Sequence, residues 1–441
     1  MLALAGAPVT IVAPGGRPSA ELPPLSKTLF AESLAVAAHR TGPPHGEHAA
    51  SDSSGPLTPD HTSLRFVSGR AVEIDPAGLT VRLDTGDRLH GSSIVIATGS
   101  TARTLDLEPP GGPAHTLHSV ADANVIREHL TALRSDRTAA TRAPSGNDAR
   151  VDIGIIGSGF LAVELARGAV DAGHTTTVHL NGPRPLPRLS APLGDAVMAL
   201  HESAGVHFVV NSTPDDYSSR DLWITAVGAR AATDFAGHEV QRANSGALLT
   251  DARLRVLDAG GRPFESVYAI GDCGQVANGP MAAYGRQESE PVAASQGEWL
   301  GRLLGAASNP AESSNHPEPD PSEHVEEGHS APTDAWSDLP WHWSFQGSVR
   351  VFTAGMPAAA SQGEPVVLGD LVTGRGQVAL FASAADDAPL VGVETLGPPK
   401  PHLAARRLLA SGTVPTRAQV SAPGFDLVAA SRLPGRRPPI A

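Results

Sequence analysis

The sequence predicts an α/β protein, and three stretches carry that expectation. Val151 to Ala166, VDIGIIGSGFLAVELA, joins a buried-strand run (Ile153 to Ile156) to a Gly157-Ser158-Gly159 turn and then an alanine-rich helical pattern. A second strand pattern, Thr175 to Leu180, follows Ala172-Gly173 in the order of a strand–helix–strand unit. Two further strand-like runs also end in sharp turns: Ser93 to Ala97 before Thr98-Gly99, and Ser266 to Ile270 before Gly271-Asp272. Short apolar strands alternating with helices are the pattern of a parallel sheet covered on its faces.

The Gly157 turn has the chemistry of a dinucleotide site. Gly157 allows the tight turn, Gly159 lets backbone approach a pyrophosphate, and Ala162 lets the helix pack close to the strand. Phe160 and Leu161 stand between the last two, at the helix N-terminus, whose free N–H groups and partial positive charge suit phosphates. The acid expected at the end of the second strand is missing, and Leu180 and Asn181 stand there instead. Asn181 can hydrogen-bond a ribose hydroxyl, while Arg184 and Arg188 can meet a 2′-phosphate, so NADH and NADPH both stay open.

At 441 residues the chain is long enough for two or three domains. A formal net charge of −13 argues against a nucleic-acid partner. No apolar run reaches the length of a membrane span, and the N-terminus has no basic region followed by a cleavable apolar segment. A cytoplasmic protein with no membrane partner is expected. The single cysteine, Cys273, excludes an internal disulfide and a Cys-x-x-Cys pair. Lysine occurs only at Lys27 and Lys400 in an arginine-rich chain, which singles both out, because ammonium and guanidinium are not equivalent.

In chain order, Met1 to Gly6 reads as the last turn of a helix and Pro8 to Ala13 as a buried strand. Gly15 to Leu25 is a Gly/Pro loop, with Ser26 placed to cap the segment after it. Ala38 to Thr62 reads as a flexible surface insertion. Strand-like runs come next at Leu64 to Val67, Arg70 to Ile74 and Leu79 to Leu83, the last two joined as an antiparallel meander. Ala121 to Leu133 is helical and Ser135 to Arg150 a polar linker. Leu193 to Ala204 is helical, with strands at Val206 to Val210 and at Leu222 to Val227 before Gly228. Glu288 to Ala306 is helical, and residues 307–334, acidic with His, Pro and Ser throughout, read as a disordered linker. Beyond them a Trp336, Trp341 and Trp343 cluster, four strand-like runs and a helix from Pro401 to Ala410 form a small α+β domain.

The motifs occur in the order LPPLSK (Leu22 to Lys27), VIATGS (Val95 to Ser100), IGSGFLAVELA (Ile156 to Ala166), PRPLPR (Pro183 to Arg188), GDC (Gly271 to Cys273) and ES-x-P (Glu288 to Pro291). PWHWS (Pro340 to Ser344) and AARRLLASG (Ala404 to Gly412) complete the series. This order resembles the FAD-dependent pyridine-nucleotide reductases of the ferredoxin-reductase, putidaredoxin reductase-like family. The resemblance implies two Rossmann-like, glutathione-reductase-type dinucleotide-binding domains and a small C-terminal α+β domain. It places an FAD domain in residues 1–110 and 229–306, an NAD(P) domain in 111–228, and the C-terminal reductase domain in 335–434.

It also implies roles. Lys27 would sit beside the flavin N5 edge and pair with Glu164, although a surface lysine and an exposed helical glutamate are the plainer alternative. Pro24, Ala97, Thr98, Gly99, Arg103, Gly228 and Gly271 fall among the cofactor contacts. Ala71 would contact adenine through its backbone, Asp272 the ribityl chain, and Glu290 the flavin ring through its N–H. His118 takes the place of a flavin-contacting arginine. Trp343 is either beside the isoalloxazine or a core tryptophan. With no cysteine pair beside the flavin, electrons from NAD(P)H would leave FAD singly for a ferredoxin-type iron–sulfur carrier, docked on Arg406, Arg407, Arg436 and Arg437. A monomer or weak homodimer is expected. The alternatives are a flavin-free NAD(P)-binding scaffold and an NAD(P)H:quinone reductase.

The chain departs from the pattern in four places. The strand and GxGxxG turn for the FAD pyrophosphate are not in the sequence, Pro14 and Gly15 stand where an acid follows the first strand, Leu180 replaces another, and Phe345 replaces the aspartate after Trp-Ser. The expectation is a reductase truncated or divergent at its N-terminus, with strands left unpaired and apolar surface exposed where a central strand is missing.

Overall fold

The structure, a computed structural model, describes residues 8–16, 24–30, 64–112, 114–141, 150–308 and 335–432. The expected N-terminal helix tail, the insertion before Thr62 and residues 309–334 of the linker lie outside them. Arg436 and Arg437 do as well.

The described elements begin with β1 (Val9–Ala13), α1 (Pro24–Thr28), β2 (Leu64–Ser68), β3 (Ala71–Asp75), β4 (Thr80–Leu83), β5 (Arg88–His90) and β6 (Ile94–Ile96). Then come β7 (Ser100–Ala102), β8 (Ala114–Thr116), α2 (Val120–Thr141), β9 (Asp152–Ile156), α3 (Phe160–Asp171), β10 (Thr175–His179), α4 (Ala191–Ser203), β11 (Val206–Val209), β12 (Leu222–Thr225) and β13 (Ala229–Ala231). The next run is β14 (Leu248–Thr250), β15 (Arg255–Leu257), β16 (Pro263–Ala269), β17 (Gly274–Val276) and α5 (Glu290–Ser308). The last comprises β18 (Trp341–Gln346), β19 (Val349–Gly355), β20 (Val366–Asp370), β21 (Arg375–Phe381), β22 (Leu390–Leu396), α6 (Pro399–Ala410), α7 (Arg417–Ser421) and α8 (Leu427–Ala430).

These elements group into two compact units. The first spans Met1–Glu21, Ala37–Gly99 and Ala231–Asp338; the second spans Leu22–Val36, Ser100–Arg230 and Leu339–Ala441. In the first unit a five-stranded sheet runs β17-β14-β15-β16-β6, beside the meander β3-β4-β5 and a separate parallel pair β1-β2. Among the described residues β6 ends its sheet and β1 pairs only with β2, and Val95 and Phe66 on these strands stay 36% and 40% exposed. Trp336 does not cluster with Trp341 and Trp343. It is buried in the first unit's core with Leu254, Tyr268 and Trp299, where its indole N–H finds Ser295 Oγ of α5 at 2.9 Å.

The second unit holds the sheet β11-β10-β9-β12-β8, parallel throughout. Ile153, Ile155, Val178, Leu222 and Ile224 are buried in it, which is why these strands read as continuous apolar runs. Helix α3 buries Ala162, Val163, Leu165, Ala166 and Ala169, and its three alanines bring it close to the sheet. A second sheet, β18-β19-β22-β21-β20, is antiparallel throughout and carries α6 on β19 and β22. Leu25 and Leu29 at α1, the parallel sheet, and Val351, Val378 and Leu396 of the antiparallel one share a single core.

Helix α2 runs to Thr141, into residues expected to be linker. Its polar side chains turn back onto the helix, Thr131 Oγ1 donating to Arg127 O and Ser135 Oγ to Thr131 O, and Arg137 anchors it to Asp221 at 2.6 Å. Ser26 is not an N-cap either. The helix already starts at Pro24, whose ring presets the first helical φ, so Ser26 lies inside it and its side chain can bond elsewhere.

Candidate active site

The dinucleotide turn sits where β9 gives way to α3. Gly157 has φ +149, and a Cβ there would lie 2.2 Å from Ala226 O, so only glycine fits between β9 and β12. Gly159 is the N-cap of α3, with no side chain capping the helix and nothing within 4 Å of where its Cβ would be. The α3 N-terminus thus has no side-chain cap and no side chain at Gly159 to block an anion. Phe160 and Leu161 pack against the core beside them. Gly228, φ +97, turns the chain after β12, and Arg103 closes that crossover, its N–H reaching Gly228 O at 2.9 Å and its Nε Ala229 O at 3.2 Å.

At the end of β10, Leu180 is buried and Asn181 exposed. Ser158 Oγ donates to Asn181 Oδ1 at 2.8 Å, tying the end of the second strand to the glycine turn. Arg184 pairs with Asp195 at 2.7 Å, and Arg188 is exposed.

Lys27 and Glu164, distant in sequence, meet in the second unit. Lys27 Nζ lies 3.3 Å from Glu164 Oε2. Glu164 is only 9% exposed, and its charge is held by three more donors: Ser26 Oγ at 2.5 Å, Ser344 Oγ at 2.5 Å and the Phe345 N–H at 3.0 Å. Helix α1 supplies one side of this clamp and β18 the other, with α3 between them. A buried carboxylate is tolerable only with such saturation. Gln346 Nε2 donates to Ser344 Oγ at 2.7 Å, so that hydroxyl's own hydrogen is directed to Glu164.

Aromatic rings complete the surroundings of Lys27. Its ammonium lies 4.6 Å from the Trp343 ring centroid and 5.5 Å from that of Phe345, and these two rings meet edge to face at 5.2 Å. His342 packs on Phe160 with centroids 4.7 Å apart. Loss of water lowers the His342 pKa to about 4; Glu164 pulls it up, while Arg188 and Lys27 push it down. The ring is thus neutral at pH 7 and does not compete with Lys27 for Glu164. Sequence reasoning missed Ser26, Ser344 and His342. His118, partly buried, donates its backbone N–H to Asp122 at the start of α2.

In the first unit the Thr98-Gly99 and Gly271-Asp272 turns are brought together by the pairing of β6 with β16, and Ile270 N donates to Ile96 O at 3.0 Å. Gly99 and Gly271 have φ +66 and +67, and a Cβ at Gly271 would press on Ala293 of α5 at 3.3 Å. Ala97 and Thr98 are exposed, Glu290 begins α5, and Ala71 pairs with Leu83 in the meander. Arg286, also missed, is 9% exposed at its side chain and donates Nε to Asp272 O at 2.7 Å; its buried Nη2 has no partner among the described residues. Nη1 pairs with Glu288 at 2.8 Å, and the partnerless Nη2 beside the Gly271-Asp272 turn fits a carbonyl-rich ligand such as the flavin end of FAD. No second glycine-rich phosphate turn lies among the described residues. Cys273, fully buried, donates Sγ–H to Ile96 O and Ile270 O, and burial pushes its thiol pKa up. It is built as a core residue without nucleophilic character.

A parallel nucleotide fold joined to a clamped lysine–carboxylate pair defines a pyridine-nucleotide-dependent oxidoreductase. Comparison with known proteins supplies the family. Residues 1–297 match the pyridine nucleotide-disulphide oxidoreductases and residues 341–431 the reductase C-terminal domain, and the chain belongs to that oxidoreductase family. Its members use FAD and NAD(H). The chain is 28% identical over 383 residues to the ferredoxin–NAD(+) reductase component of the anthranilate 1,2-dioxygenase system of Burkholderia cepacia, covering 81% of this chain and 79% of that one. It is 24% identical over 387 residues to rhodocoxin reductase of Rhodococcus erythropolis, covering 83% and 78%. A ferredoxin reductase structure from Rhodopseudomonas palustris shares the fold, with TM-score 0.71, 19% identity, and coverage of 98% of this chain and 95% of that one. No helix among the described residues is long and apolar enough to cross a membrane.

Proposed function

We propose that the chain is an FAD-dependent NAD(P)H reductase that delivers electrons to a ferredoxin-type iron–sulfur protein. The observation that carries this is the clamp on Glu164, which fixes Lys27 in a chain holding only two lysines. FAD, when bound, supplies the change from two-electron to one-electron transfer. Gly157, Gly159 and the α3 N-terminus bind the dinucleotide pyrophosphate. Thr98, Gly99, Gly271, Asp272 and Arg286 bind the flavin nucleotide. Glu164 anchors the Lys27 ammonium on the Trp343 ring, so that a positive charge stands ready, without reorganisation, for the charge that hydride delivery creates. The inert Cys273 supports electron exit without a thiol relay. Arg406, stacked on Trp341 at 4.3 Å, and Arg407 supply a basic patch for an acidic carrier.

The test is Lys27→Met with flavin absorbance followed anaerobically in a stopped-flow instrument. Flavin reduction by NAD(P)H falls by about 100-fold, with nucleotide affinity held. An unchanged rate refutes the role of Lys27. The alternative reading is a flavin-free NAD(P)-binding scaffold. A colourless purified protein that still binds NAD(P)H selects it. Quinone reduction with no ferredoxin present selects the quinone reductase instead.

A further inference from the structure

We propose that the second unit binds a divalent transition-metal ion between His115 of β8 and His129 of α2, with water filling its remaining positions. Neither residue takes part in the dinucleotide turn or in the clamp on Glu164. The two rings arrive from different elements: β8 is the end strand of the parallel sheet, joined only to β12, and α2 packs against it. His115 Nε2 and His129 Nδ1 stand 3.0 Å apart, and the rings meet at 70° with their centroids 5.2 Å apart. Without an ion this contact is a hydrogen bond, in which one ring's hydrogen points at the other's lone pair.

The same spacing suits two ligands on one ion. An imidazole nitrogen lies about 2.0–2.1 Å from zinc, which puts two of them about 2.9 Å apart at a right angle and about 3.4 Å apart at the tetrahedral angle. The ring centroids, about 1.2 Å behind the nitrogens, are then about 5.3 Å apart at the tetrahedral angle. The observed separation already matches, so an ion replaces the shared hydrogen when the two rings tilt in place, with β8 and α2 unmoved. Both elements are fixed beneath the pair. Thr225 Oγ1 donates to His115 O at 3.3 Å, and the buried Ile126 and Leu130 seat the turn of α2 that carries His129. Both histidines are only partly buried, which leaves a way in for the ion and its waters. Two imidazoles suit zinc, nickel or copper, whereas magnesium and calcium take oxygen ligands. Among the described residues no group of three or more His, Cys, Asp and Glu side chains could hold a metal, so this site has two protein ligands. An ion held there cross-links the end strand of the sheet to α2 and stabilises the folded chain.

The experiment takes the full chain stripped of metal by a chelator, with zinc chloride as the probe and calorimetry and urea unfolding as the readouts. Wild type binds zinc, and zinc at about a hundredfold over the dissociation constant raises its urea midpoint. His129→Gln and His115→Gln each remove one ligand, weaken this binding by at least about tenfold and abolish the rise. His238→Gln, an exposed histidine of the first unit, keeps both. If His115→Gln fails to fold on so short a strand, His129→Gln on the helix flank decides alone. The chain has 18 histidines, so zinc binding that survives His129→Gln undiminished belongs to others and overturns the proposal. A wild-type midpoint that zinc does not raise overturns it too, and leaves the pair an ordinary hydrogen bond.

Discussion

Removing the Glu164 carboxylate tests whether the clamp exists in solution. In Glu164→Ala the Phe345 N–H loses its acceptor, and the Lys27 ammonium, 21% exposed, loses its counter-ion. Ser344 Oγ keeps its bond from Gln346, so the hydroxyls lose less. An orphaned buried donor costs about 1–3 kcal/mol and a broken buried ion pair about 3–5. Water reaching Lys27 trims its share, so we expect a loss of about 3–4 kcal/mol for alanine. Glutamine keeps the volume and one acceptor oxygen but turns an NH2 group toward other donors; its loss is about 1–2 kcal/mol. The assay is urea unfolding monitored by tryptophan fluorescence and circular dichroism. Pairing each variant with Lys27→Met closes a double-mutant cycle, in which removing both partners costs about 1 kcal/mol less than the sum. An alanine variant within about 1 kcal/mol of wild type, or no less stable than glutamine, refutes the saturated-carboxylate argument.

Two other sites give outcomes of different kinds. Glu394 on β22 is 1% exposed and accepts the Ser190 N–H and hydroxyl at the start of α4; burial raises its pKa from 4.5 to about 7. Because the folded value is the higher, this group's contribution is fully present below about pH 4.5 and is lost as pH rises to about 7, by at most about 3 kcal/mol. His179, His342 and His402, each lowered by burial to about 4, gain stability over the same range, so the group's share is read as a difference: between pH 5.5 and 8 the urea midpoint of wild type changes less favourably than that of Glu394→Gln, and an equal change in both refutes the assignment. At the turn, Gly159→Ala places its methyl in open space, so the fold is retained, while NAD(P)H affinity drops at least about tenfold. Gly157→Ala drives a Cβ into Ala226 O and loses soluble protein as well. Equal expression and equal nucleotide affinity of the two variants would contradict this division of labour.

The turn at Gly157 was legible because its requirements are local: one glycine for φ, one for empty space, one alanine for helix packing. The parallel strands were legible because burial on both faces writes itself as unbroken apolar runs. Helix α2 overran its expected end because Arg137 ties its last turns to Asp221 beside β12, a tertiary contact that hydrophobic periodicity does not register. Trp336 was grouped with its neighbours in sequence, yet its ring is buried with Leu254, Tyr268 and Trp299, and its backbone and indole N–H groups bond Ala252 and Ser295. Ser26 was legible as a polar residue two places after a proline, and a cap was the local reading; its partner lies 138 residues away.

Phe345 shows most clearly where letters mislead. The loss of an aspartate after Trp-Ser counts as damage when the side chain is taken to carry the function. In the structure the position acts through its backbone N–H, which any residue except proline supplies, and the Glu164 carboxylate receives it at 3.0 Å regardless. The side chain instead adds a second ring to the wall around Lys27. A substitution at such a position changes the electrostatic surroundings of the lysine, from a second carboxylate to an aromatic face, while leaving the clamp intact. Side-chain divergence and preserved geometry therefore coexist at one residue, and the measurable consequence falls on the charge balance at Lys27 rather than on whether the site assembles.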